Sequence, residues 1–165
     1  MIDKDRMLET KNKILGWLKE EAAAPEEIND PAMYFNIRFR TGPILLNAFQ
    51  PGTMDDSFLI LGSTSLTDEQ AEVVYKNVVE EKHETYIADL KLMLLANNEL
   101  GDYEMKLDAQ NHLREVRIYS RKIYYDSLTK EKLVLCSRAV VKAITSSHVL
   151  FEKYLGKIPS LTNRS

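Results

Sequence analysis

Two short segments of this chain nearly repeat each other: residues 65–70 read Ser-Leu-Thr-Asp-Glu-Gln and residues 127–132 read Ser-Leu-Thr-Lys-Glu-Lys. Each follows a strand-like stretch and precedes a helical pattern. The chain therefore makes two strand-to-helix transitions, which points to an α+β layered fold. Thr67 and Thr129 can each accept a hydrogen bond from a first-turn N–H that otherwise lacks a partner. Gln70 completes an approximate capping box with Thr67, whereas Lys132 cannot do so for Thr129. Leu128 is placed to pack on Leu133, and Leu66 meets only the smaller Ala71. Two independent helix starts explain the repeat without duplication.

The chain of 165 residues is 44% hydrophobic and 28% charged, with a net charge of −3. This is the balance of a globular domain, expected here over residues 1–158 with a frayed tail at 159–165. The net charge leaves no electrostatic footprint for nucleic acid. Arg114, Arg117, Arg121 and Lys122 are interrupted by Glu115 and read as a solvated strand face. One cysteine, Cys136, excludes an internal disulfide framework and a multi-cysteine zinc site. The charged, amphipathic N-terminus is neither a signal peptide nor a membrane span. The most apolar run noted elsewhere, 90–96, contains Lys91 and is too short to cross a bilayer. No membrane association is expected, and a cytoplasmic location is the default.

Met7, Leu8, Ile14, Leu15 and Leu18 recur at helical spacing over residues 4–23, with Trp17 at the edge of the stripe. Residues 33–40 alternate cleanly, setting Met33, Phe35, Ile37 and Phe39 against Tyr34, Asn36, Arg38 and Arg40, as a half-buried strand does. Thr41-Gly42 suits a hairpin into a second strand at 44–49. A loop at 50–57 leads to a third strand at 58–62. Residues 67–98 contain neither Gly nor Pro and read as helix, but the apolar side drifts from Val74 to Leu90. A bend near 82–85, or one long helix touching different elements, accounts for the drift. Residues 102–108 and 113–125 read as strands, the second disturbed at Ile123-Tyr124-Tyr125. The last helix, 129–155, carries the stripe Leu133, Cys136, Val140, Ile144, Phe151 and Leu155, with Ser147 on the same line.

The order is α-β-β-β-α-β-β-α, expected as a twisted antiparallel sheet of about five strands with helices packed on one face. Ile44-Leu45-Leu46 and Phe58-Leu59-Ile60-Leu61 run apolar without alternation. Strands apolar on both faces are covered on both faces. The cover on the second face is a further helix, a second copy or a partner segment.

This element order, with Tyr34-Phe35-Asn36-Ile37, the passage from Asp55 to Ile60 and the two Ser-Leu-Thr helix starts, resembles type III secretion chaperones and the related YbjN-like bacterial proteins. It is also similar to a family of uncharacterised archaeal proteins assigned to that fold. The resemblance covers residues 4–156 by element order and brings no catalytic motif. It implies a sheet whose faces and edges hold extended segments of client proteins, and a homodimer.

The candidate catalytic groups are sparse. His83, His112 and His148 lack metal-ligand spacing, so no metal site is expected. Cys136 lies on the apolar stripe and reads as a buried, unreactive side chain. His148 stands about 18 Å along the same helix and cannot serve it as a base. Asp55 and Asp56 read as turn residues. The expectation is therefore a non-enzymatic protein-binding module, chaperone-like or adaptor, acting as a homodimer without a cofactor. Its candidate contact residues are Leu45, Phe49, Leu59, Leu61, Tyr34 and Trp17. The alternative is a small-ligand protein or enzyme with a pocket between sheet and helices, using Asp55, Asp56 or a histidine.

Overall fold

Both Ser-Leu-Thr segments start helices. The structure, a computed structural model, describes residues 2–158, so the expected tail at 159–165 lies outside the described residues. In chain order the elements are α1 (Lys4–Glu20), β1 (Glu26–Glu27), β2 (Met33–Thr41), β3 (Ile44–Pro51), β4 (Ser57–Ser65), α2 (Asp68–Tyr75), α3 (Glu80–Leu95), β5 (Leu100–Leu107), β6 (Leu113–Ser120), β7 (Ile123–Tyr124) and α4 (Lys130–Leu155), with a short 3-10 turn before α4. At α2 the Thr67 hydroxyl accepts from the Gln70 N–H at 3.2 Å, and Gln70 Oε1 accepts from the Thr67 N–H at 3.0 Å. That closes the capping box. At α4 the Thr129 hydroxyl accepts from the Lys132 N–H alone.

The strands form one antiparallel sheet in the order β1-β2-β3-β4-β6-β5, with β7 paired to β4. Seven strands replace the expected five because two pairings of two residues, β1 and β7, extend the five long ones. The disturbed end of the last strand reading is β7 and the turn after it, which let the chain leave the sheet and enter α4. Gln50, in the stretch expected as loop, lies within β3 just before its last residue, Pro51, and is fully buried. Its amide donates to the Met54 carbonyl at 2.7 Å, and the Tyr125 hydroxyl donates to its Oε1.

Position Gly62 shows which face the helices cover. A Cβ there would run into Ile144 and Val140 of α4 and Leu46 of β3. Residues opposite one another in the ladder share a face. Leu46, Ala48, Ile60 and Ile118 therefore point with Gly62 toward the helices, and all are buried. Along α4, Leu133, Val140, Ile144, Phe151 and Leu155 of the predicted stripe are buried, with Ser147. Cys136 is only partly buried against that core, because Ser137, one residue on, takes the fully inward position. Helix α4, rather than the run at 90–96, is long and apolar enough to cross a membrane by length and composition. In this fold its inward side is the centre of the core.

The predicted middle helix is two helices, broken at residues 76–79 rather than bent at 82–85. Val79 occupies the start of α3 without a side-chain cap. The break explains the drifting apolar side. It lets the Tyr75 hydroxyl donate to the Leu113 carbonyl at 2.7 Å, while Leu90 and Leu94 turn toward the same core.

Helix α1 ends at Glu20, short of the expected span of 4–23. The Ala22 N–H bonds the Lys19 carbonyl at 3.1 Å and the Ala23 N–H bonds the Leu18 carbonyl at 2.9 Å, a Schellman motif. Ala22 sits at φ 54°, where glycine is normally found. An L side chain there is strained by about 1 kcal/mol. Ala22→Gly is expected to raise stability by about that amount, a gain of roughly 3 °C in Tm for a domain of this size. A calorimetric Tm equal to or below that of the unaltered protein contradicts the assignment.

Candidate functional site

The sheet face turned away from the helices follows from the same register. Arg38, Asn47, Leu61, Tyr119 and Asp102 lie opposite one another in succession and form one row across the five long strands. The Asn36–Phe49–Leu59 row lies on one side of it. On the other side the Arg40–Leu45 and Ser63–Arg117–Glu104 pairings carry the next row.

The centre of this face is apolar. Leu45 is 41% exposed, Leu59 and Leu61 are half-buried, and Phe49 is 8% exposed. Phe49 is buried yet stands apart from the main core cluster. Its aromatic neighbour is Tyr119, with centroids 6.3 Å apart and rings tilted by 59°. Burial, reinforced by Glu104, pushes the Tyr119 hydroxyl above its ordinary pKa. The Asn47 amide donates to Asn36 Oδ1 at 2.8 Å.

Charge is unevenly spread around that centre. On the β5–β6 side, Glu115 pairs with Lys106 at 2.8 Å and Arg117 at 2.9 Å, and Arg117 reaches Glu104 at 4.0 Å. The bond from Lys106, with help from Arg117, holds the Glu115 carboxyl below its ordinary range despite partial burial. On the β2 side, Arg38 and Arg40 have no ion-pair partner among the described residues, and Arg38 Nε is buried without a hydrogen bond.

Of the six predicted contact residues, Leu45, Phe49, Leu59 and Leu61 come together on this face. Tyr34 falls in an irregularity of β2, where the register shifts between Met33 and Phe35, and is half-buried. Trp17 does not join them. It packs against the main core and lines a cavity of about 380 Å³ with Leu18, Phe39, Leu133 and Arg138, on the helix side of the sheet. Tyr119, Arg38 and Arg117 were missed as contact residues. Only the pairing of β6 with β4 places Tyr119 and Arg117 beside the leucines.

The edges of the sheet differ. Beyond β2 the chain segment before it closes the edge: Arg40 N–H bonds the Ala23 carbonyl and Ile28 N–H the Asn36 carbonyl. The β5 edge is open but carries Asp102, Glu104 and Lys106, and the Asp102 carboxylate accepts the Tyr103 N–H at 2.8 Å. Charges and a satisfied donor discourage strand addition there.

A second cluster forms where β5 turns into β6. His83 and His112, 29 residues apart in sequence, bring their ring centroids to 5.5 Å. His112 stacks on Tyr75 at 4.3 Å and 9°, and His83 meets Tyr75 edge-on at 5.4 Å. His83, 7% exposed, accepts the Leu113 N–H at Nε2, 3.3 Å away. The ring proton therefore sits on Nδ1. Burial, then His112, lowers the His83 pKa, and Asp108 opposes them. Burial also raises the Tyr75 hydroxyl, with Asp108 adding to it. A cavity of about 690 Å³ opens beside the cluster, between α3 and the β5–β6 turn. His148 lies elsewhere, 3.6 Å from Glu152 on α4. Among the described residues no group of three or more His, Cys, Asp or Glu is placed to hold a metal ion. Asp55 and Asp56 are exposed in the β3–β4 loop, where the Asp56 carbonyl accepts the Tyr125 N–H at 3.0 Å. Burial raises the Cys136 thiol pKa, with Glu99 adding to the effect and Lys132 opposing it.

The profile of a conserved protein family described as uncharacterised, DUF2299, matches residues 10–151. The chain belongs to this family. Its fold is that of the crystal structure of an uncharacterised protein from Methanothermobacter thermautotrophicus, which is 22% identical over 88% of this chain and 99% of that one, with a TM-score of 0.77. At that identity the likeness shows the fold alone. Comparison with curated proteins gives no match.

Proposed function

We propose that this DUF2299 member is a non-enzymatic protein-binding module, chaperone-like or adaptor in character, whose working surface is the open sheet face. The observation that carries this reading is the apolar centre formed by Leu45, Phe49, Leu59 and Leu61 on a face no helix covers among the described residues. Apolar residues grouped in this way, Leu45 exposed, Leu59 and Leu61 half-buried and Phe49 buried beside Tyr119, rimmed by arginines and carboxylates, have the composition of an interface with a buried centre and a polar rim. The type III secretion chaperone-like element order supports the same role. Cytoplasmic placement is part of this proposal.

The test is capture from native lysate on immobilised protein, read by mass spectrometry. Leu59→Asp is expected to lose the specific partner, while Leu92→Asp, on the exposed side of α3, retains it. Equal retention by both variants, or an unaltered protein that holds neither a lysate partner nor a second copy of this chain, removes the reading.

A second reading rests on the cavity beside His83 and His112. The hollow is lined by Val78, Ile87 and Leu107 together with Glu80, Glu84 and Lys91, and it converges on a buried imidazole with a displaced pKa, a feature of functional sites. A ligand there perturbs the His83 ring resonances in NMR and leaves those of Tyr119 unmoved.

A further inference from the structure

We infer that the occupant of the open sheet face is a second copy of this chain, packed sheet to sheet about a twofold axis running along β4. The inference rests on the binding surface proposed above and names its partner.

The argument is one of position and charge. Among the five long strands β4 is the middle one, flanked by β3 and β2 on one side and by β6 and β5 on the other. The row through its centre runs from Arg38 on β2 to Asp102 on β5, with Leu61 in the middle. The neighbouring row runs from Arg40 to Glu104 in the same sense. The β1–β2 side carries Arg38 and Arg40, neither in an ion pair among the described residues, against one carboxylate, Glu26, which stands opposite Arg38 on β1. On the β5–β6 side, Asp102, Glu104 and Glu115 outnumber Lys106 and Arg117, so the face is positive at one side and negative at the other.

A twofold axis along the central strand exchanges the two sides. It lays Arg38 and Arg40 of one copy over Asp102 and Glu104 of the other, twice by symmetry, and sets Leu61 and Leu59 against their own copies. A twofold axis across the strands sets arginine over arginine instead, and repulsion disfavours it. The separation fits as well. Packed sheets lie about 10 Å apart, a gap that leucine fills from both sides and that arginine spans. Five strands of about eight residues present a face roughly 24 Å by 26 Å, on the scale of the roughly 800 Å² per partner of a stable interface. The guarded β5 edge and the closed β2 edge leave this face as the surface for self-association.

The experiment is sedimentation equilibrium of the full chain, with circular dichroism to establish that each variant is folded. The unaltered protein is expected to be a dimer. Leu61→Asp, or the more exposed Leu45→Asp, gives a folded monomer. The double change Arg38→Glu with Arg40→Glu weakens the dimer about tenfold or more through like-charge contact with the acidic side. Adding Asp102→Lys and Glu104→Arg to that protein restores it. A monomeric unaltered protein overturns the inference. So does a dimer indifferent to Leu45→Asp, or one strengthened by the double arginine reversal, which is the outcome for the crosswise axis. A monomer that still loses a protein partner through Leu59→Asp overturns only the second copy and leaves the binding reading in place. A monomer with no face-dependent partner overturns both.

Discussion

Gly62→Ala is expected to destabilise the protein by about 3 kcal/mol, at the upper end of the cost of overfilling a core. The reason is a single methyl group with nowhere to go. An ideal Cβ at Gly62 collides with Ile144 Cδ1 and lies 2.8 Å from Leu46 Cδ2 and 2.9 Å from Val140 Cγ1. These three side chains belong to α4 and β3, and all are buried at the point where the last helix crosses the sheet. One flexible end can rotate away; three at once require α4 to lift from β4. Glycine pays more chain entropy than alanine on folding, so replacement returns a fraction of a kcal/mol, too little to reverse the sign. The control is the same substitution at Gly16, inside α1, where nothing lies within 4 Å of the added Cβ. There the helix gains about 1 kcal/mol from alanine. Urea unfolding of both variants should give midpoints on opposite sides of the unaltered protein. A Gly62→Ala midpoint at or above it contradicts the close approach of α4 to the sheet.

How much of this was legible in the sequence divides along the range of the interactions. The alternation of residues 33–40 gives β2 its inward Phe35, Ile37 and Phe39, because period-two burial is a property of the strand itself. Thr67 and Gln70 give the start of α2, because a capping box closes within four residues. The two-faced runs 44–46 and 58–61 call for cover on both faces of β3 and β4; among the described residues the helices cover the Leu46 and Ile60 side, while Leu45, Leu59 and Leu61 stand on the other.

What failed is non-local. Residues 76–79 contain no Gly or Pro, and the break goes with a contact 38 residues on, the Tyr75 hydroxyl on the Leu113 carbonyl. Gln50, followed by Pro-Gly, looks like loop until Tyr125 arrives from 75 residues away to share its buried amide. Cys136 lies within the apolar spacing of α4, yet the choice between it and Ser137 is made by the sheet beneath. Trp17 has the composition of a contact residue and is instead part of the packing of α1. Arg38 and Asp102 belong to one site only once five strands are in register. The histidine cluster is the same case, since no spacing rule links residues 83 and 112. The turn at Asp108–His112 links them, with the Asp108 carboxylate accepting the Gln110 and His112 N–H groups at 2.9 and 3.0 Å.

That cluster makes the stability of the fold depend on pH below neutrality. The His83 Nε2 is the acceptor for the buried Leu113 N–H, so protonation removes the bond and places a charge in a desolvated site. Burial and the neighbouring His112 lower its pKa in the folded protein from 6.5, against the pull of Asp108. The sign follows from linkage. The unfolded chain takes up the proton first as pH falls, so the neutral imidazole contributes stability that is present above about 6.5 and lost as pH drops from there toward the folded pKa. Within that window the slope attributable to His83 stays below about 1.4 kcal/mol per pH unit, the limit set by one proton. Asp108 contributes in the same direction at lower pH. Burial works against its ionisation, but the N–H groups of His112 and Gln110, with the charges of His112 and Arg114, outweigh it and hold the carboxyl below its ordinary range. Two variants separate the charge from the hydrogen bond. His83→Gln keeps an acceptor for Leu113 but cannot titrate, so its unfolding free energy between pH 7 and 5 falls less steeply than that of the unaltered protein. His83→Phe keeps the aromatic packing against Tyr75 and leaves the Leu113 N–H unsatisfied, at a cost of about 1 to 3 kcal/mol at pH 7. Its pH dependence is reduced as for the glutamine. Urea unfolding across that pH range decides the matter. Equal slopes for the unaltered protein and His83→Gln exclude His83 as the titrating group. Unchanged stability of His83→Phe at pH 7 excludes the hydrogen bond that ties α3 to the start of β6.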